Sequence, residues 1–156
     1  RPDTTLPNGP PPEGLPVPIT ALADEVLREA VRSLDRGEHV VVATVLARHG
    51  SAPATPGQKL SLAREGEQLR AIGTVGGGAI EHVVLRAMVA ALDEQAPSPA
   101  IHTFRLGPNL GMCCGGSADV LIEPMRPAMG VLLVGAGHVG ASTAPVPMVT
   151  SAKGSS

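Results

Sequence analysis

The heptapeptide VVVATVL, residues 40–46, decides the fold class of this chain. It is apolar and rich in β-branched residues, a composition that favours a strand buried on both faces. A helix is predicted before it, over residues 20–36, with Thr20 as N-cap and Gly37 as terminator. The apolar stripe of this helix comprises Leu22, Val26, Ala30 and Leu34, with Leu27 and Val31 beside it. Helix and buried strand together indicate an α/β domain.

The remaining elements follow from hydrophobic periodicity and turn residues. Residues 59–63 and 68–75 predict a hairpin around Glu65-Gly66, and residues 79–95 predict a second helix stopped by Pro97 and Pro99. Further strands are predicted at residues 100–106, 120–123 and 130–134. The expected architecture is a mixed β-sheet of about five strands with two main helices, followed by the first strand of a truncated Rossmann-like domain.

Three segments divide the chain. Residues 1–18 hold seven prolines, which predicts a disordered leader. Residues 19–126 form the predicted main domain. Residues 127–156 are interpreted as the start of a Rossmann-like domain with an irregular tail.

Composition excludes several classes of partner. The net charge of −2, the pI of about 6.2 and a single aromatic residue, Phe104, argue against nucleic acid and against an acidic membrane surface. The longest apolar run, residues 40–47, is too short to span a bilayer. Two adjacent cysteines build no disulfide framework, which favours a reducing compartment and a cytoplasmic protein.

The first candidate site is the loop at residues 50–59, directly after the buried strand. Ser51 and Thr55 offer hydroxyl groups there, and Lys59 offers a positive charge. The structural alternative is a rigid connector between strand and hairpin.

The second candidate site is Gly76-Gly77-Gly78, at the start of the second predicted helix. Three glycines allow a nest of N–H groups at a helix N-terminus, which suits a phosphate, and Lys59 would add charge. Glu81 lies in the first turn of the helix. The structural alternative is a tight turn from strand to helix.

The third candidate site is Gly111-Met112-Cys113-Cys114-Gly115-Gly116. Thiolates suit soft metals and sulfur transfer, and the glycines allow a close approach to the backbone. The alternative for each cysteine is a small buried apolar residue. His39, His49, His82 and His102 are interpreted as ordinary surface or core histidines.

The fourth motif is a dinucleotide fingerprint formed by Gly135, Gly137 and Gly140, directly after an apolar strand. The helix and the acidic residue that complete such a unit do not follow it. The motif therefore marks the beginning of a Rossmann-type domain, and NAD(P) binding would require that domain to be complete.

In this order the motifs resemble the XdhC/CoxI family of xanthine dehydrogenase accessory factors, over roughly residues 20–140. The matching segments are Gly50-Ser51-Ala52-Pro53 with Pro56-Gly57, Ile72-Gly73 through Gly77-Gly78 to Glu81, Gly111-Met112-Cys113-Cys114-Gly115-Gly116, and the stretch from Val131 to Gly140. The resemblance implies an accessory protein rather than an enzyme. Such a protein binds the molybdenum cofactor (molybdopterin), protects it during sulfuration and delivers it to a molybdenum hydroxylase client. A cysteine desulfurase partner and a homodimer are also implied.

From this resemblance, the cofactor-binding residues are expected to be Ser51, Lys59, Gly76, Gly77, Gly78, Glu81, Cys113, Cys114, Gly115 and Gly116. Among these, Cys113 and Cys114 are expected to touch or guard the molybdenum. Three other interpretations stay open. They are a fragment of an NAD(P)-dependent oxidoreductase, a thiol redox protein that uses Cys113 and Cys114, and a structural scaffold without a ligand.

Overall fold

The computed structural model describes residues 14–107 and 115–128 of the 156-residue chain. Within these ranges, two helices and five strands follow one another as α1 (Ala23–Asp35), β1 (His39–Gly50), β2 (Lys59–Glu65), β3 (Gln68–Gly73), α2 (Gly78–Asp93), β4 (Ala100–Leu106) and β5 (Gly116–Met125). The strands form one sheet in the order β3-β2-β1-β5-β4. Residues 130–134 and the glycines of the dinucleotide fingerprint lie outside the described residues.

The predicted α/β class, with five strands and two main helices, is confirmed. All four strand pairings are antiparallel. Within the described residues, the parallel component is one isolated bridge between Ile19 and Ile72. The hairpin is also confirmed, because β2 and β3 flank the predicted turn and pair from Glu65 and Gln68 outward.

β1 is the central strand, and its two faces are buried by different helices. Val41, Ala43 and Val45 belong to the main core cluster together with residues of α2, so this side is the α2 face of the sheet. Val40 and Val42 pack on the other side with Ala30 of α1, and this side is the α1 face. The predicted burial on both faces is therefore confirmed for the first half of the strand. Leu46 is exposed because a register shift between Val45 and Ala47 interrupts the pairing with β5.

The start of α1 differs from the prediction. The helix begins at Ala23 with Leu22 as N-cap, and the backbone N–H of Leu22 donates to Glu25 Oε2 at 2.8 Å. Thr20 cannot take the N-cap position, since the neighbouring Ile19 is held in an extended bridge by hydrogen bonds to Ala71 and Gly73. The buried stripe accordingly begins at Val26, while Leu22 is 71% exposed.

α2 carries the main core. Its buried side chains are Ile80, Val83, Val84, Leu85, Met88 and Leu92. Ala87 and Ala91 of the same helix are only half-buried. Phe104 of β4 is fully buried in the same cluster.

The antiparallel topology brings the candidate loops to one end of the sheet. At this end β1, β3 and β4 finish, and β2 and β5 begin. It therefore holds residues 51–58, residues 74–77, Gly107 and Gly115. We call it the glycine end.

The predicted domain boundaries stay predictions. Within the predicted leader, Leu15 is half-buried and packs against the main core. Neither helix among the described residues is long and apolar enough to cross a lipid bilayer.

Candidate functional site

The loop at residues 51–58 forms the centre of the glycine end. Its last turn is tied to β1 by two backbone hydrogen bonds, from Val45 N–H to the Gln58 carbonyl and from Gly57 N–H to the Val45 carbonyl. The Gln58 side chain accepts a further hydrogen bond from the Thr55 N–H at 2.8 Å. Ala52 and Ala54 are buried, whereas Ser51 and Thr55 are exposed. The end of the loop is therefore anchored to β1, and the two residues that carry its hydroxyl groups are exposed to solvent.

The glycine turn, residues 76–78, packs against this loop. Its three residues have φ angles of +125°, +74° and +59°. Residues with a Cβ atom rarely adopt this backbone conformation. A Cβ on Gly76 would lie 3.0 Å from the Pro53 carbonyl oxygen and 3.1 Å from Ala54. Gly76 is therefore required both for the turn and for its contact with the loop.

Glu81 holds the glycine turn from within α2. Its Oε2 accepts hydrogen bonds from the Thr74 hydroxyl at 2.7 Å and from the Val75 N–H at 3.4 Å. The Thr74 hydroxyl in turn accepts one from the Gly76 N–H at 3.1 Å. Through these hydrogen bonds Glu81 positions the residues that lead into the glycine turn.

Gly115 and Gly116 approach the loop from its other side. A Cβ on Gly116 would lie 2.6 Å from Ala52 N and 3.1 Å from Ser51 N. A Cβ on Gly50 would likewise lie 3.0 Å from the Gly115 carbonyl oxygen. Three segments singled out in the sequence are thus in contact around residues 51–58. Cys113 and Cys114 lie outside the described residues, and their role stays a prediction.

The loop and the glycine turn both lie in a stretch of the chain that matches a known protein family. Residues 33–105 match the profile described as the XdhC and CoxI family. Over this segment, just under half of the chain, the sequence is similar to that family. The resemblance inferred from the motifs is confirmed, and the matched range includes the loop, the glycine turn and Glu81 but ends before Gly115.

Two similar proteins extend this comparison. The uncharacterized protein YqeB of Escherichia coli (strain K12) is 31% identical over 125 residues, which cover 76% of this chain and 22% of that protein. The chain therefore spans about a fifth of the length of this curated relative. The crystal structure of a xanthine dehydrogenase from Bacillus halodurans matches with a TM-score of 0.47 and 22% identity, over 63% of this chain and 30% of that one.

Within this family segment, Lys59 does not join the glycine turn. Its Nζ donates to Thr44 Oγ1 at 3.0 Å, and the two residues are cross-strand partners of β2 and β1. Thr44 alternates with Val42 and Val40, so the Lys59 side chain lies on the α1 face. The glycine turn begins α2, which covers the opposite face. The structure therefore does not bring the predicted positive charge to the predicted phosphate nest.

Sequence reasoning missed a polar group beside Gly116. His49 Nε2 lies 3.2 Å from Asp119 Oδ2, and the Thr103 hydroxyl donates to Asp119 Oδ1 at 2.6 Å. An open cleft of about 370 Å³ adjoins this group and is lined by His49, Gly50, Arg105, Leu106, Gly115, Gly116 and Ser117. No local pattern signals it, since His49 and Asp119 are 70 positions apart.

A second cleft, of about 660 Å³, lies at the opposite end of the sheet. Two of its lining residues, Arg36 and Glu38, form an ion pair with each other. Arg36 also pairs with Glu29, and Arg70 pairs with both carboxylates. The hydrogen bond from Arg36 is the main reason that the pKa values of Glu29 and Glu38 lie below their usual range. These mutual pairs identify the group as a structural ion-pair network.

Metal binding by the described residues alone finds no support. Across residues 14–107 and 115–128, no three His, Cys, Asp or Glu side chains are grouped as metal ligands. The expected contact of Cys113 and Cys114 with molybdenum lies outside these ranges and stays a prediction.

Proposed function

We propose that this chain binds the molybdenum cofactor at the glycine end, as cargo, and delivers it to a molybdenum hydroxylase of the xanthine dehydrogenase type. One observation carries the proposal: the glycine turn and Gly116 both pack against residues 51–58, so three of the segments that carry the resemblance meet at one end of the sheet. The match of residues 33–105 to the XdhC and CoxI family supports an accessory role beside such an enzyme.

The glycine turn suits the phosphate of the cofactor in two respects. The first N–H groups of α2 have no acceptor within the helix, and a helix N-terminus attracts anions. A Cβ on Gly77 or Gly78 would meet no atom within 4 Å, so the space in front of the turn is open. The Glu81 carboxylate repels an anion at this position. Its negative charge is partly compensated by the hydrogen bonds that it accepts from the Thr74 hydroxyl and the Val75 N–H.

The remaining parts of the proposal follow from the resemblance. Cys113 and Cys114 supply soft sulfur donors suited to molybdenum. A cysteine desulfurase, a homodimer, a cytoplasmic location and a function without turnover belong to the same proposal. The alternatives based on NAD(P) or thiol redox chemistry rest on residues outside the described ranges, and no contact in the structure favours them.

The proposal is tested with two glycines of the same end. Gly116→Ala places a Cβ 2.6 Å from Ala52 N and must displace the loop, whereas Gly107→Ala meets nothing within 4 Å and lies outside the expected cofactor-binding residues. We expect Gly116→Ala to retain the cofactor about tenfold less well, a loss of roughly 1.4 kcal/mol, and Gly107→Ala to retain it as the unaltered chain does. Purified chains are mixed with molybdenum cofactor, separated by size and assayed for co-eluting molybdenum and pterin.

The cysteines require a separate arm. The double variant Cys113→Ser, Cys114→Ser should lose molybdenum, and unchanged retention would remove the proposed role of the thiols. If the unaltered chain itself carries neither molybdenum nor pterin, the proposed function is wrong.

A further inference from the structure

The strand register places three polar residues in one row at the glycine end. His49 of β1 and Arg105 of β4 are both cross-strand partners of Ser117 on β5. Neighbouring strands are about 4.8 Å apart, so His49 and Arg105 flank Ser117 at roughly that distance on either side. The flanking side chains bring a guanidinium, a hydroxyl and an imidazole to one small area.

This row lies on a face of the sheet that α1 leaves open at this end. Ser117 and Asp119 alternate with Ala118 and Val120, which point into the main core under α2, so the row lies on the α1 face. α1 packs mainly over β1, β2 and β3. The side chain of His49 is 60% exposed, and the row lines the cleft of about 370 Å³ described above.

The adjacent row of residues on the same face holds His49 in place. It consists of Ala47, Asp119 and Thr103, again in cross-strand register. The Asp119 side chain is only 12% exposed, and it is bonded to the Thr103 hydroxyl and to His49 Nε2. The small side chain of Ala47 leaves room beside the carboxylate. Asp119 therefore fixes the imidazole ring and turns Nδ1 away from itself.

This geometry determines which ligand the cleft suits. In a neutral imidazole whose Nε2–H is donated to a carboxylate, Nδ1 accepts a hydrogen bond. The ligand must then offer both a proton for His49 and negative oxygens for Arg105 and Ser117. A phosphate group with one remaining P–OH offers both, whereas sulfate carries no proton near neutral pH.

We propose that this cleft binds a phosphate group, with Arg105 pairing its charge, Ser117 donating a hydrogen bond to it, and His49 Nδ1 accepting a hydrogen bond from its P–OH group while Asp119 holds the imidazole ring. The proposal goes beyond the proposed function, because binding of inorganic phosphate needs neither pterin nor molybdenum. The cleft and the glycine turn also lie against different parts of the loop at residues 51–58.

The test is isothermal titration of the full chain with sodium phosphate and with sodium sulfate at pH 8 and constant ionic strength. We expect saturable binding of phosphate and weaker binding of sulfate. Arg105→Gln should weaken phosphate binding roughly tenfold through loss of a charge-assisted hydrogen bond. His49→Ala should remove the preference for phosphate over sulfate.

The matched control is Arg28→Gln, which removes the same charge from an exposed pair with Asp24 on α1 and should change nothing. A further arm replaces inorganic phosphate by glycerol 3-phosphate. Tighter binding of this monoester assigns the site to a phosphorylated organic ligand, and tighter binding of inorganic phosphate assigns it to the free ion. Absence of saturable phosphate binding, or equal binding by Arg105→Gln in a chain with unchanged circular dichroism, overturns the proposal whatever the outcome with molybdenum cofactor.

Discussion

Gly73 is the residue at which backbone and packing constraints coincide. Its φ angle is +103°, and a Cβ there would meet the Lys59 carbonyl oxygen at 2.2 Å and Val26 Cγ2 at 2.6 Å. The residue also donates its N–H to the Ile19 carbonyl. It therefore lies where the end of β3, the start of β2 and helix α1 meet.

We expect Gly73→Ala to destabilise the fold by about 3 kcal/mol or more, because conformational strain and steric overlap add. Gly57→Ala is the matched control, since Gly57 has a similar φ of +91° but open space around it. The control should cost only about 1–2 kcal/mol, the strain of a left-handed conformation alone. Urea unfolding measures both, and equal losses would show that packing around Gly73 contributes nothing.

At the scale of elements, α1 is held to the hairpin largely by charged groups. Glu29 and Glu38 are bridged by Arg36 and by Arg70 of β3. The Ser33 hydroxyl is buried among them and accepts from Arg70 at 3.1 Å. The helix buries few apolar side chains beside this network, namely Val26 and Ala30 fully and Leu34 in part.

This network predicts acid sensitivity. Arg36 is the main cause of the lowered pKa values of Glu29 and Glu38, so both lie below the ordinary value of 4.5 in the folded chain. The unfolded chain then binds more protons than the folded one, and the contribution to stability is present above about pH 4.5 and lost as the pH falls through the folded-state pKa values.

We expect Arg36→Gln to flatten the dependence of the unfolding free energy on pH below this range. Arg28→Gln, whose partner Asp24 is exposed, should leave it unchanged. Urea titrations between pH 3 and pH 7 compare the two variants. A pH dependence of Arg36→Gln identical to that of the unaltered chain would contradict the assignment.

At the scale of the whole molecule, the two faces of the sheet contribute unequally to the core. Among the described residues, the cluster under α2 contains 20 buried residues, whereas the cluster under α1 contains four. The main hydrophobic stabilisation of the described domain therefore lies between α2 and the sheet.

We expect Met88→Ala, at a fully buried position of α2, to cost about 2–5 kcal/mol through lost burial and cavity formation. Val31→Ala, at a position of α1 that is 57% exposed, should change stability by less than about 0.5 kcal/mol. Thermal and urea unfolding measure both variants. Comparable losses would show that the α1 side carries more of the core than its buried residues indicate.

Most elements were predictable because their signals are local. The turn at Glu65-Gly66 lies between two adjacent strands. β4 matches the predicted residues 100–106, which lie between Pro99 and Gly107, two residues that interrupt regular structure. The start of α1 was missed since it depends on the bridge of Ile19 to Ile72, which is 53 positions away in the chain. Such a contact leaves no periodic pattern around Thr20.

Local chemistry alone specified the strand at residues 40–46, the second helix and the three glycine-rich segments, because each depends on neighbours in the chain. Only the tertiary structure decided that those segments meet around residues 51–58, that Lys59 lies on the α1 face, and that His49, Ser117 and Arg105 form one row. The reason is strand register: a shift of one residue between β1 and β5 would move His49 to the opposite face from Asp119. Register is set by packing over the whole sheet, and no short stretch of sequence contains it.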